Sequence, residues 1–148
     1  MKKVISFSVY GDNPKYTIGL IRNLDLIKEI YPNWTTYVYF NNTVPSEIID
    51  EVNSFENVET FDMSELQIPG MFWRFQPNEN VERFVIRDTD SRVTEREKVA
   101  VYEWIEDNKV LHIMRDHPHH NYPILGGMWG MKCENTFNMK EEFINYTD

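Results

Sequence analysis

Cysteine is nearly absent from this sequence: Cys133 is the only one among 148 residues. A single thiol cannot form an internal disulfide or a zinc site built from several thiolates. Because proteins of oxidising compartments commonly depend on disulfides, the sequence predicts a protein of a reducing compartment, the cytoplasm.

Positive charge is scarce as well, since 15 Lys and Arg residues stand against 24 Asp and Glu residues, a net charge of −9. Such a chain is electrostatically disfavoured on nucleic acid and on anionic membrane surfaces. We therefore expect no nucleic acid partner. A phosphate-bearing ligand has to meet local arginines or a metal ion instead.

Long apolar runs are also missing. No stretch approaches the roughly 20 apolar residues that span a bilayer, and the opening MKKVISFSVYGDN lacks the small-residue cleavage site of a secretory signal. We therefore expect no transmembrane segment. With 41% hydrophobic and 14% aromatic residues, the chain can bury one core, which predicts a single domain over residues 1–148 and leaves the oligomeric state open.

What the sequence does contain is an alternation of strand and helix patterns. Asn13 and Pro14 are typical of a helix N-cap and first position, and Pro32 ends that helix. The predicted strands are residues 4–10, 35–40, 58–61, 84–86 and 110–114. The other predicted helices begin at Ser46 and after Thr94, with a final one at residues 139–146. This order predicts an α/β, Rossmann-like fold with a mostly parallel central sheet flanked by helices.

Two aspartates follow the strand at residues 84–86, in the stretch RFVIRDTDSR. Thr94 and Glu97 form the pattern of a capping box, so Asp88 and Asp90 are not needed to begin the next helix. Ligands of open α/β sheets bind beyond the carboxyl ends of strands. A carboxylate pair there offers oxygen ligands to Mg²⁺ or Mn²⁺; the alternative is a solvated turn.

Arginines surround this pair. Arg87 and Arg92 flank it, and Arg74 lies in the segment at residues 67–80, which two prolines, a glycine and three aromatics mark as a structured loop. Arginines are the side chains that hold a phosphate in an acidic protein. Ordinary surface ion pairing remains the alternative for each of them.

Five blocks in this order resemble nucleotide-sugar glycosyltransferases of the A-type fold, found among bacterial and viral surface-glycan (polysaccharide) enzymes. The blocks are MFWRFQP, FVIRDTDSR, TEREKVAVYEW, HIMRDHPHH and ILGGMWGMK. They run from Met71 to Lys132, while the strands before them agree only in pattern.

The resemblance implies a role for several residues. Asp88 and Asp90 are similar to the Asp-x-Asp motif that holds Mn²⁺ or Mg²⁺ against the donor diphosphate. Tyr10 and Gly11 resemble part of the nucleotide cradle, and Arg74 and Arg87 resemble donor contacts. The pair at 126–127 resembles the sugar-pocket strand, where Gly126 and Gly127 let a ring approach the backbone; a strand bulge is the alternative.

The block RDHPHH is open to two interpretations. Asp116 is a candidate general base toward the acceptor hydroxyl, and His117 is a candidate metal or diphosphate contact. A polar surface loop is the alternative. Trp104 and Trp129 either stack on sugar or belong to the core.

The function predicted from these motifs is metal-dependent hexosyl transfer from a nucleoside diphosphate sugar to a hydroxyl of a glycan or other acceptor. Two alternatives remain: a non-catalytic glycan- or nucleotide-sugar-binding module, and a phosphatase of the haloacid dehalogenase type. The phosphatase motif expects Thr or Val where this chain has Arg92. Glycosyltransferases of this fold usually continue past the glycine strand, so the resemblance predicts a minimal, truncated or partner-completed enzyme.

Overall fold

The computed structural model describes residues 1–77, 80–113 and 128–133. These residues form a six-stranded sheet in the order β3-β2-β1-β4-β6-β5. The strands are β1 (Lys2–Ser8), β2 (Thr35–Phe40), β3 (Val58–Asp62), β4 (Val81–Arg87), β5 (Leu111–Ile113) and β6 (Met128–Lys132). The α-helices are α1 (Pro14–Ile30), α2 (Ser46–Asn53) and α3 (Glu95–Asp107), and a short 3-10 helix, η1, spans Gly70–Phe75.

The sheet is mostly parallel, as the sequence predicts. Strands β1 to β4 pair in parallel, whereas β6 lies antiparallel between β4 and β5. Residues Ser6 of β1 and Ile86 of β4 are register partners. The ends of these two central strands therefore lie side by side at the carboxyl edge of the sheet.

The three helix starts predicted within the described residues, at Pro14, at Ser46 and after Thr94, are confirmed. The Asn13 side chain accepts a hydrogen bond of 3.0 Å from the backbone N–H of Lys15, and Pro14 is the first helical residue of α1. At α3 the Glu97 carboxylate accepts from the backbone N–H of Thr94 at 2.8 Å, and the Thr94 hydroxyl accepts from that of Glu97 at 3.2 Å. This reciprocal pair is the capping box that the sequence predicts.

The side chains of β1 alternate between the two faces of the sheet, and each face has its own hydrophobic core. Ile5 and Phe7 pack with the three α-helices, while Val4 faces the other side of the sheet, where aromatic residues of η1 pack. Ser6 and Ser8 follow Val4 on that side at a spacing of two. Trp104 is buried in the first core and Trp129 in the second, so neither indole is a free sugar platform.

Four predicted site residues lie outside the described ranges: Asp116, His117, Gly126 and Gly127. The predicted helix at residues 139–146 lies outside them too. Among the described helices, none has the length and apolarity needed to cross a bilayer.

Candidate functional site

A cleft of about 420 Å³ opens at the carboxyl edge of the parallel strands. Its walls come from the end of β1, the start of α1, the helix η1 and the loop after β4. Five residues that the sequence predicts for the site line it together: Tyr10, Gly11, Arg74, Asp88 and Asp90. They come from three separate segments, so the fold itself brings them together.

The two aspartates both reach solvent through this cleft, with side chains 42% and 31% exposed for Asp88 and Asp90. Each faces a cation. The Asp88 carboxylate is paired with the Arg74 guanidinium, and Asp90 Oδ2 lies 3.8 Å from Lys15 Nζ. Within the described ranges, no three His, Cys, Asp or Glu side chains cluster closely enough to hold a metal ion. A metal on this pair therefore needs additional ligands, such as water or phosphate oxygens.

Arg74 is a buried residue of the cleft wall rather than an exposed loop cation, since it is only 9% exposed. Two serines of β1 hold its backbone: its N–H donates to Ser8 Oγ at 2.9 Å, and Ser6 Oγ donates to its carbonyl at 2.6 Å. Its Nη1 donates to the Arg87 carbonyl at 3.3 Å and to Asp88. Its buried Nε has no hydrogen-bond partner among the described residues.

The loop that carries the aspartates is fastened to α1 by Asn23, which is fully buried. Its Nδ2 donates to the Ser91 carbonyl at 2.7 Å and to that of Asp88 at 3.5 Å, and its Oδ1 accepts from the Val93 N–H at 3.1 Å. One amide thus fixes the backbone on both sides of the motif. Sequence reasoning missed this residue, although a polar residue within the apolar stripe of α1 was a usable signal.

Gly19 lets the same loop lie against α1. A Cβ at this position would come within 2.2 Å of the Thr89 carbonyl oxygen, a distance no side chain can adopt. Arg92 bridges the contact, because its guanidinium donates to the Gly19 carbonyl and, at 3.2 Å, to that of Thr89. Arg92 therefore supports the loop backbone, and Gly19 was not predicted as part of the site.

Tyr10 and Gly11 form the opposite rim. The Tyr10 side chain is about half exposed, and its ring packs edge-on against Trp73 with centroids 5.8 Å apart. A Cβ on Gly70 would lie 2.5 Å from the ring, so that glycine permits the close contact. Gly11 has φ of +77° and donates its N–H to Thr43 Oγ1 at 2.7 Å. The result is an aromatic face supported from behind and open to the cleft.

Arg87 is the described candidate that the structure does not bring to the cleft. It is buried on the helix side of the sheet, where its Nε donates to the Glu97 carboxylate and its Nη1 donates to the Ile86 carbonyl at 2.7 Å. The alternation of β4 places Arg87 on the same side as Val85, against α3. The side chain of Arg87 thus forms a buried ion pair in this structure, and its expected contact with the donor stays a prediction.

A larger cavity of about 480 Å³ lies at the opposite edge of the sheet, between the last turns of α1 and α2. It contains neither aspartate, and its Lys28 Nζ already stacks over the Phe55 ring, 4.6 Å from the centroid. The smaller cleft is therefore the candidate site.

Comparisons with known proteins identify the fold. No family model matches the chain, and no curated protein sequence matches it. Among solved structures, S. aureus TarS 1–349 aligns with a TM-score of 0.53 and 13% identity over 80% of this chain and 38% of that one. The same protein in complex with UDP aligns with a TM-score of 0.54 and 14% identity over 83% and 38%.

The chain thus spans 38% of the length of these TarS structures. TarS is a glycosyltransferase, and at such identities the likeness concerns the fold alone. The predicted fold class is confirmed: the described residues form a mixed α/β fold with a six-stranded central sheet flanked by helices, similar to that of the TarS structures.

Proposed function

We propose that this protein is a glycosyltransferase that moves a hexosyl group from a nucleoside diphosphate sugar to a hydroxyl of a glycan or other acceptor. One observation carries the proposal: Arg74, Asp88 and Asp90 converge in a cleft at the carboxyl edge of the parallel strands. Ligands of open α/β sheets bind at this edge. The UDP complex of TarS supports a nucleoside diphosphate as the leaving group.

The nucleotide would enter between Tyr10 and the start of α1. The exposed ring of Tyr10 offers a stacking surface for a base. The N-terminal end of α1, at Asn13 and Tyr16, and the side chain of Arg74 line the cleft. Both favour an anion, because a helix N-terminus carries partial positive charge and a guanidinium binds phosphate oxygens.

A divalent cation fits the pair of aspartates. Mg²⁺ is typically bound through one or two carboxylates together with substrate phosphates, and both side chains are accessible in the cleft. Mn²⁺ or Mg²⁺ bound there would supply positive charge to the departing diphosphate. Arg74 adds charge at the same place, which is where negative charge develops during sugar transfer.

The acceptor side of the reaction rests on the sequence resemblance. We propose Asp116 as the general base toward the acceptor hydroxyl, with His117 beside the diphosphate. Gly126 and Gly127 would let the sugar ring approach the backbone. These four assignments concern residues outside the described ranges.

The test is isothermal titration calorimetry with UDP, GDP and ADP, each with Mn²⁺ and with a chelator. We expect one nucleotide to bind with Mn²⁺ and to lose most of its affinity with chelator. Asp88→Asn should lose the Mn²⁺-dependent part, whereas Asp25→Asn, an exposed carboxylate elsewhere on α1, should not. Failure of all three nucleotides to bind would refute the proposal.

A further inference from the structure

A buried arginine offsets the charge of Asp88 within the cleft. Its carboxylate is paired with the Arg74 guanidinium, which occupies an oxygen that a divalent cation would need. Two carboxylates so close in sequence repel one another, and the buried guanidinium offsets that repulsion. A metal and Arg74 therefore compete for the same side chain.

The pairing of Asp90 is weaker. Lys15 Nζ lies 3.8 Å from Asp90 Oδ2, and the lysine side chain is 63% exposed, against 11% for the Arg74 side chain. Exposed ion pairs are screened by solvent and contribute little. Lys15 thus provides a matched control for Arg74, because it carries the same charge and faces Asp90 but interacts with that aspartate only weakly.

The backbone of Arg74 is held by contacts that do not involve its guanidinium. Its N–H and carbonyl are bound by the hydroxyls of Ser8 and Ser6, so two hydrogen bonds would still join η1 to β1 if the guanidinium changed partner. Within the residues that the structure describes, its buried Nε has no hydrogen-bond acceptor, and an unsatisfied buried donor is costly. A phosphate oxygen in the cleft is an acceptor of the kind guanidinium groups favour.

We propose that Arg74 is an internal counter-ion, which a divalent cation displaces from Asp88 and which then binds the diphosphate of the nucleotide. This inference rests on the proposed function. The exchange offsets part of the negative charge of the cleft aspartates before the metal binds and supplies a donor to the phosphate afterwards. It predicts that replacing Arg74 strengthens the binding of the metal ion and weakens the binding of the nucleotide.

The first measurement uses Mn²⁺ alone, titrated into the parent, Arg74→Met and Lys15→Met by calorimetry. Removing the competitor should tighten Mn²⁺ binding by about tenfold in Arg74→Met, since a hydrogen bond to a charged group contributes roughly that much. Lys15→Met should change the affinity by less than about twofold, as expected for an exposed pair.

The second measurement uses UDP at saturating Mn²⁺. Arg74→Met should weaken UDP binding by about tenfold, because the phosphate loses a charge-assisted hydrogen bond, whereas Lys15→Met should match the parent. If Arg74→Met does not fold, Arg74→Gln removes the same charge and keeps a donor. Denaturation midpoints verify folding for every variant.

The outcomes separate the two proposals. A parent that binds no Mn²⁺ overturns the metal site and the exchange together. A parent that binds Mn²⁺ with the same or higher affinity than Arg74→Met overturns the exchange alone. If Arg74→Met binds UDP with the affinity of the parent, the proposed contact between the Arg74 guanidinium and the diphosphate is wrong.

Discussion

Replacing Asn23 with alanine tests whether α1 holds the aspartate loop in place. The fully buried amide makes its two shorter hydrogen bonds to the Ser91 carbonyl and the Val93 N–H. Alanine leaves the N–H of buried Val93 without an acceptor, while the exposed backbone at Ser91 can bind water instead. Most of the lost stability therefore comes from the unsatisfied N–H of Val93.

The expected magnitude follows from these contacts. A stranded buried N–H costs about 1–3 kcal/mol and a lost hydrogen bond about 1 kcal/mol. Alanine returns about 0.6 kcal/mol through its better helix propensity. We expect a net loss of about 2–3 kcal/mol in the free energy of unfolding, which corresponds to a fall in Tm of roughly 5–10 °C.

The assay is urea denaturation of the parent, Asn23→Ala and Glu29→Ala. Glu29 is an exposed residue of the same helix, so its replacement should stay within about 0.5 kcal/mol of the parent. Asn23→Ala should also bind Mn²⁺ more weakly at temperatures where it remains folded, because the loop backbone is less fixed. A loss below about 1 kcal/mol, comparable to the control, would refute this account of the loop.

Substitutions at three further positions test separate contacts. Gly70→Ala places a Cβ 2.5 Å from Cδ1 of Tyr10, so we expect the ring to shift and UDP affinity in calorimetry to fall; an unchanged affinity argues against stacking on Tyr10. Glu97→Gln removes the carboxylate that pairs with the buried Arg87 guanidinium, which should lower the free energy of unfolding by about 2 kcal/mol in urea denaturation, the size of a hydrogen bond to a charged group. Burial, and to a lesser extent the charge of Arg87, lowers the pKa of His112 from 6.5 to about 4. The contribution of this neutral imidazole to stability is therefore complete above pH 6.5 and is lost as pH falls toward 4. We expect the denaturation midpoint of His112→Gln to depend less on pH in that range than the midpoint of the parent. An identical pH dependence would contradict the assignment.

Local signals in the sequence predict much of the fold. Asn13 with Pro14, and Thr94 with Glu97, determine helix starts through contacts within a few residues. The strand at Thr35–Phe40 agrees with its predicted bounds. The antiparallel position of β6 was not specified, because strand order depends on pairing between distant segments.

In the candidate site too, local motifs were predicted and contacts between distant segments were not. Asp88 and Asp90 were predicted because a motif and its place after a strand identify them. The ion pair of Arg87 with Glu97 was not predicted, since Glu97 had a sufficient local role in the capping box and gave no sign of a second contact. Asn23 was missed because its partners lie about 70 residues away along the chain, as in the contact with Val93.

Donor hydrolysis tests the central claim most directly. A panel of nucleoside diphosphate sugars is incubated with the parent and with Asp88→Asn, with Mn²⁺ and with chelator, and the released nucleoside diphosphate is measured. We predict that the parent hydrolyses one donor with Mn²⁺ and that chelator or Asp88→Asn lowers the rate by about 100-fold, as expected for loss of charge stabilisation on the leaving group. Absence of hydrolysis for every donor, or a rate that Asp88→Asn leaves unchanged, would contradict the account.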